Sequence, residues 1–365
     1  MEKLFVSPSK YVQGRDLLRR SGPYIQTFGN NALILTDEFV WTLVGESYDQ
    51  QLTSEGLKVA HIIFNGESSE KEIQRIINEM TETSSEVLLA LGGGKVIDAG
   101  KAIADQLNIP IVVIPTTAST DAPTSSVSVL YEDDGRFKTY ALYQKNPDLV
   151  LVDTEIIVNA PVRTLIAGIA DGLATGVEAR SVWKNHGVNV LGQKPTFTAL
   201  AIAERCEDVL FTYGLQAVED NRKRRVTDAF EAVVEANILM SGLGFESGGL
   251  SAAHALHNGF SAIKGKVNLL MHGEKVAFTT LVQLVLEEQP TEMLTRYIDL
   301  FSELGLPINC RGMGLDFKDE KQLGLIAEQS LSDGDYLKQQ PRVVTKREIV
   351  RAIQALDVFV ENNYA

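Results

Sequence analysis

Four short apolar runs, at residues 32–37, 59–64, 86–91 and 111–114, are separated by polar segments of helix length. Each run is too short for a helix, and too apolar throughout to leave one face in water. That spacing is the pattern of a parallel sheet covered by helices on both faces. Two further runs, at 127–131 and 137–142, flank Asp133-Asp134-Gly135 and predict a β-hairpin. A last run at 149–152 closes this half. From about Pro161 the character changes. The segments at 198–210, 227–240 and 276–288 are long, periodic and rich in alanine and leucine, and no convincing strand follows. An α/β domain over 1–160 and an all-α helical domain over 161–365 are therefore expected, because single cores stop growing at roughly 250–300 residues.

Charge narrows the class of partner. The chain carries 34 basic and 48 acidic side chains, a net charge of −14. So acidic a surface repels nucleic acid and anionic lipid, so neither a nucleic-acid nor a membrane partner is expected and the ligand is a small molecule. Cys206 and Cys310, in unrelated contexts, argue against a disulfide framework and for a reducing compartment. The opening residues lack an apolar leader and no apolar run of about 18 residues occurs, so a cytoplasmic location is expected. The one dense basic run, Arg222-Lys223-Arg224-Arg225, is read as a solvated helix start or a subunit contact.

Between the third and fourth runs, Gly92-Gly93-Gly94-Lys95 leads into Val96-Ile97-Asp98, the start of a good helix former. A strand, a glycine turn and a helix start together make a nest of backbone N–H groups that a pyrophosphate can approach. The same turn also serves as a bare strand-to-helix connection. Asp37 ends the first run, either to accept ribose hydroxyls, which favours NAD over NADP, or to cap the following helix. After the fourth run, residues 115–126 are dense in hydroxyls at the end of an open α/β sheet where ligands sit.

Three of the five histidines fall in one stretch. His254 and His257 lie one turn apart on a helix read over 250–256 and opened by Gly248-Gly249, and His272 follows. Asp171 sits among Ile, Ala, Leu and Gly, where a carboxylate is costly to bury unless paired or bound to a cation. Asp171, His254 and His272 would form a set of two imidazoles and one carboxylate with a coordination position left open. Singly, each is equally a hydrogen-bonded core residue. His257 is placed beside the set, toward the substrate or behind the ligands. The donor set by itself suits zinc or ferrous iron.

Five strings carry a family resemblance: Gly92 to Asp98, Ala118 to Pro123, Gly242 to Leu250, Ala253 to Gly259 and His272 to Phe278. In order and spacing, over essentially the whole chain, they resemble the iron-containing alcohol dehydrogenase family, and within it the zinc-using glycerol dehydrogenases. The resemblance implies a Rossmann-like N-terminal domain and a helical C-terminal domain, an architecture shared with dehydroquinate synthase, with NAD and a metal in the cleft between them. It also implies a homo-oligomer, commonly an octamer. Asp171, His254 and His272 match the metal ligands. Asp37, Gly94, Lys95, Val96, Ile97, Asp98, Thr116, Thr117, Ala118, Ser119, Ser125, Val127 and Tyr131 match positions that contact NAD. Asp121 matches a position that contacts glycerol, and Phe245 is assigned to the substrate side with it. Iron-using relatives carry a further histidine four residues after the aspartate; Thr175 stands there, which favours zinc over iron.

The implied reaction is NAD-dependent oxidation of glycerol or a related vicinal diol at the secondary hydroxyl, giving dihydroxyacetone and NADH. Two alternatives stay open. A phosphopolyol dehydrogenase, such as a glycerol-1-phosphate dehydrogenase, would hold its phosphate with Lys264, Lys266 or the run at Arg222. A lyase like dehydroquinate synthase would need a basic cluster, of which the recognisable strings supply few residues.

Overall fold

The computed structural model describes residues 2–332 and 336–364. Eight strands form: β1 (Tyr11–Gly14), β2 (Asn31–Thr36), β3 (Lys58–Ile63), β4 (Val87–Gly92), β5 (Ile111–Pro115), β6 (Val127–Tyr131), β7 (Phe137–Leu142) and β8 (Leu149–Asp153). Six of them make one parallel sheet in the order β1-β8-β5-β4-β2-β3, while β6 and β7 pair antiparallel as the expected hairpin. The runs of β2, β4, β5 and β8 are buried as their composition requires, while β3, an edge strand, is mostly half-buried and β7 largely exposed. Every residue of β4, β5 and β8 is buried, and alternate side chains such as Ile34, Leu89, Leu91, Val112 and Ile114 share one core face. β1 carries too few apolar residues to be read as a strand; it is an edge strand that pairs only with β8.

The strand order fixes where a ligand can sit. From β2 the chain goes to β3 on one side, then crosses back to place β4 on the other. Between the carboxyl ends of β2 and β4 the connections diverge, and a crevice opens there. Of the helices around this sheet, α1 (Glu70–Met80) is capped by Ser69, and α2 (Gly94–Leu107) starts directly from the glycine turn after β4. Gly100 lets α2 lie against the sheet, since a Cβ there would come 2.8 Å from the Cβ of Ala90.

Two compact units divide the chain. One comprises Val6–Thr164 and Asp220–Gly242; the other comprises Met1–Phe5, Leu165–Glu219 and Leu243–Ala365. Two stretches thus cross the division expected near residue 160: the first five residues group with the helical unit, and Asp220–Gly242 groups with the sheet. Gln13 shows the tie within the sheet unit, donating to the Glu231 carboxylate at 2.6 Å and to its carbonyl at 2.9 Å.

The helical unit contains α3 (Val162–Lys184), α4 (Phe197–Arg222), α5 (Ala252–Gly259) and α6 (His272–Leu286), the last two packed against each other. After Thr164 no strand occurs among the described residues. α5 begins at Ala252, not at 250, because Gly248 closes the preceding helix and Gly249 turns the chain at φ +106°. The basic run is a helix end, not a helix start. Arg222 is the last residue of α4, where positive charge complements the C-terminal dipole, and Arg225 pairs with Asp220 at 2.6 Å.

Candidate active site

A candidate cofactor cavity lies where the sheet topology reverses. A cavity of about 370 Å³ is lined by Asp37, Phe64, Gly66, Gly93, Gly94, Lys95 and Val96. Gly93 is the N-cap of α2 and supplies no side-chain oxygen, so the first N–H groups of the helix lack an intrahelical acceptor. A Cβ on Gly93 would meet no atom within 4 Å, and one on Gly94 only Thr120 Oγ1 at 3.8 Å. Side chains there would fill the space that backbone N–H groups now face, which is the cradle a pyrophosphate needs. Lys95 pairs with Glu67 at 2.5 Å and lies over the Tyr131 ring at 5.6 Å. Asp37 accepts from the Val40 N–H at 2.9 Å, so it is a helix cap that also lines the cavity.

The remaining expected cofactor residues fall into two groups. Ile97 and Asp98 are buried; Asp98 accepts from the Val129 N–H at 3.1 Å and pairs with the buried Lys101 at 3.1 Å, tying α2 to the hairpin. Burial pushes the Asp98 carboxyl up, and Lys101 opposes that shift. Thr116, Thr117, Ala118, Ser119, Ser125, Val127 and Tyr131 do not line the cavity. Thr117 and Ser119 pair through their hydroxyls at 3.1 Å, Ala118 accepts from Asn237 Nδ2 at 2.9 Å, and Ser125 and Val127 are buried. Asp121 accepts from the Ser241 hydroxyl at 3.1 Å within the same unit. Phe64 and Gly66 were not anticipated; both follow directly from the end of β3, the position next to Asp37 that the parallel pairing dictates.

A candidate metal cluster lies wholly in the helical unit. Asp171 on α3, His254 on α5 and His272 at the start of α6 each present one ligand atom, all within 4.8 Å of one another. His254 Nε2 lies 3.5 Å and His272 Nε2 3.2 Å from Asp171 Oδ1. Asp171 is 1% exposed, and neither of its oxygens has a hydrogen-bond partner among the described residues. Buried acceptors are almost always satisfied, so an orphaned carboxylate facing two imidazoles fits a cation between them. Burial pushes Asp171 up, but His272 and His254 outweigh it and hold the carboxyl well below the usual carboxylate range.

Two residues support the ligands from behind. Glu178, fully buried two turns along α3 from Asp171, meets His254 Nδ1 with Oε2 at 2.6 Å. His257 Nε2 lies 3.1 Å from His272 Nδ1, and burial together with neighbouring His272 keeps His257 well below the ordinary imidazole range. Glu178 was missed by sequence reasoning, since Gly-Val-Glu-Ala-Arg reads as an ordinary solvated turn of helix. The only signal was its spacing of seven from Asp171, which places both on one face. Thr175, between them, is buried, and its Cγ2 would lie 2.6 Å from a Cβ on Gly244, so no larger side chain fits there without repacking. Phe245 is buried on the helix that carries Gly244.

Known proteins match this chain closely. The iron-containing alcohol dehydrogenase family matches residues 8–154. Glycerol dehydrogenase 1 of Schizosaccharomyces pombe is 40% identical, over 98% of this chain and 80% of its own length. Glycolaldehyde reductase of Halobacterium salinarum is 40% identical over 98% of both chains. The crystal structure of glycerol dehydrogenase from Schizosaccharomyces pombe superimposes with a TM-score of 0.95, covering 99% of this chain and 92% of the other at 40% identity.

Proposed function

The chain belongs to the iron-containing alcohol dehydrogenase family, and from that premise we propose that it oxidises glycerol and related small vicinal diols at the secondary hydroxyl, with NAD as acceptor. The observation that carries the metal-assisted reading is the orphaned Asp171 carboxylate between His254 and His272.

When bound, a divalent ion supplies Lewis acidity to the alcohol oxygen and the nicotinamide accepts the hydride. The residues of the chain do the rest. Asp171, His254 and His272 hold the ion with three donors and leave room for a substrate oxygen. The turn at Gly93, Gly94 and Lys95 receives the pyrophosphate, and Asp37 accepts a ribose hydroxyl, which disfavours a 2′-phosphate. We assign the remaining cofactor contacts to Val96, Ile97, Asp98, Thr116, Thr117, Ala118, Ser119, Ser125, Val127 and Tyr131. Asp121 accepts a hydrogen bond from a second substrate hydroxyl, the reason for a preference for diols, and Phe245 lies on the substrate side.

Zinc is the metal of this reading. Three protein donors suit it, and Thr175, packed against Gly244, stands where iron-using relatives carry another imidazole. The two free, buried cysteines support a cytoplasmic, reducing setting. Homo-oligomeric assembly belongs to the same reading through the family resemblance. A phosphorylated substrate is not favoured, because Arg224 and Arg225 of the basic run are engaged with Asn159 and Asp220.

The test is NADH formation by the purified protein with glycerol, with glycerol phosphates and with no polyol, before and after stripping metal and restoring zinc or iron. Zinc-restored, glycerol-dependent NADH is the expected result; absence of reduction under every condition sinks the redox reading. The match to a glycolaldehyde reductase supports a second reading, reduction of small hydroxyaldehydes by NADH at the same site. Glycolaldehyde consumption faster than glycerol oxidation at neutral pH would favour it.

A further inference from the structure

We propose that Glu178 is a positioning residue for metal uptake, fixing the His254 imidazole in the tautomer that turns the Nε2 lone pair toward Asp171 and His272. The proposal rests on the reading of Asp171, His254 and His272 as a metal site. Glu178 is 0% exposed, and its carboxylate makes three contacts to the start of α5. Oε1 accepts from the N–H of Ser251 at 2.8 Å and of His254 at 3.0 Å, and Oε2 meets His254 Nδ1 at 2.6 Å.

The first two contacts replace a helix cap. The side chain of Ser251, the N-cap of α5, does not cap the helix but bonds with Ser181 and Gln340, and Gln283 of α6 takes the Ala253 N–H at 2.7 Å. The third contact has a chemical direction. A carboxylate only accepts, so Nδ1 carries a proton, and whenever the ring is neutral, as a metal ligand must be, the lone pair is on Nε2. Because Asp171 and Glu178 stand on one face of α3, a single rigid element sets one ligand and orients a second. His272 Nδ1 instead faces the imidazole of His257.

Glu178→Gln separates the two roles. The amide oxygen still accepts the Ser251 and His254 N–H groups, so the start of α5 stays capped. The amide nitrogen donates to Nδ1 instead, moving the ring proton to Nε2, where it faces the ion. With metal-stripped full-length protein and a competing chelating dye, zinc affinity is expected to fall about 10- to 100-fold in E178Q. The melting temperature of the metal-free protein and its affinity for NAD are expected to stay at the parent values.

Zinc affinity unchanged in E178Q beside a parent that binds zinc overturns the role of Glu178 and leaves the metal site standing. A parent that takes up no zinc overturns the metal site and this proposal with it. If E178Q folds poorly, the metal-free parent decides by long-range ¹H–¹⁵N spectra of the neutral His254 ring: a proton on Nδ1 supports the proposal, and a proton on Nε2 overturns it.

Discussion

Asp171 concentrates the chemistry in one side chain. A carboxylate taken out of water costs several kcal/mol unless a partner compensates it, and among the described residues only the His254 and His272 imidazoles stand near its oxygens, without a well-formed hydrogen bond. Asp171→Asn keeps the shape and removes the charge. Zinc affinity should fall at least about 100-fold, beyond the range for residues behind the ligands, while NAD binding persists; chelator competition and calorimetry measure the two. Retention of parent-level zinc binding would show that the carboxylate is not a ligand. Asp171, His254 and His272 were legible because a carboxylate in an Ala-Gly-Leu helix and clustered histidines among only five are both unusual. Glu178 was not, because what buries it is the start of α5, far along the chain, and a lone glutamate on a helix carries no mark of that contact.

Helices reach the site only where their surfaces permit close approach. α6 begins against α3 at Gly273, where a Cβ would lie 1.9 Å from the carbonyl oxygen of Ala167. Gly273→Ala must push α6 away and carry His272, one residue earlier, off its alignment with Asp171. A loss of about 1–3 kcal/mol is expected from such overpacking, with weaker zinc uptake, read by denaturant unfolding and dye competition. Unchanged values for both would mean that the two helices can separate freely. Among the strands, seven of eight were legible because buried parallel strands are continuous apolar runs. β1 escaped because an edge strand needs few apolar residues. The start of α5 was misplaced by two residues because paired glycines mark a break without saying which one ends the earlier helix.

At the scale of the chain, the His–carboxylate cluster and the cavity at the glycine turn belong to different compact units. Asp171, His254 and His272 all lie in the helical unit; Asp37 and the glycine turn lie in the sheet unit. A ligand that binds only the folded state stabilises it by mass action, about 4 kcal/mol at a thousand times its dissociation constant. A strong chelator should therefore lower the melting temperature, and zinc should restore it. NAD affinity of the metal-free protein, measured by calorimetry, should survive. Loss of NAD binding on chelation would show that the sheet unit depends on the ion. The division of the chain was only partly legible, since nothing in the local pattern of residues 220–242 announces that a helical stretch returns to the sheet unit.

That discontinuity also sets an order of events during synthesis. Asp171 and Glu178 leave the ribosome early in the helical unit, the chain then builds Asp220–Gly242 for the other unit, and only afterwards do His254 and His272 emerge. Until then the buried carboxylates have no imidazole to meet. The cluster of two imidazoles and one carboxylate is thus complete only once residue 272 has been made, and a chain released before it carries Asp171 and Glu178 without their partners.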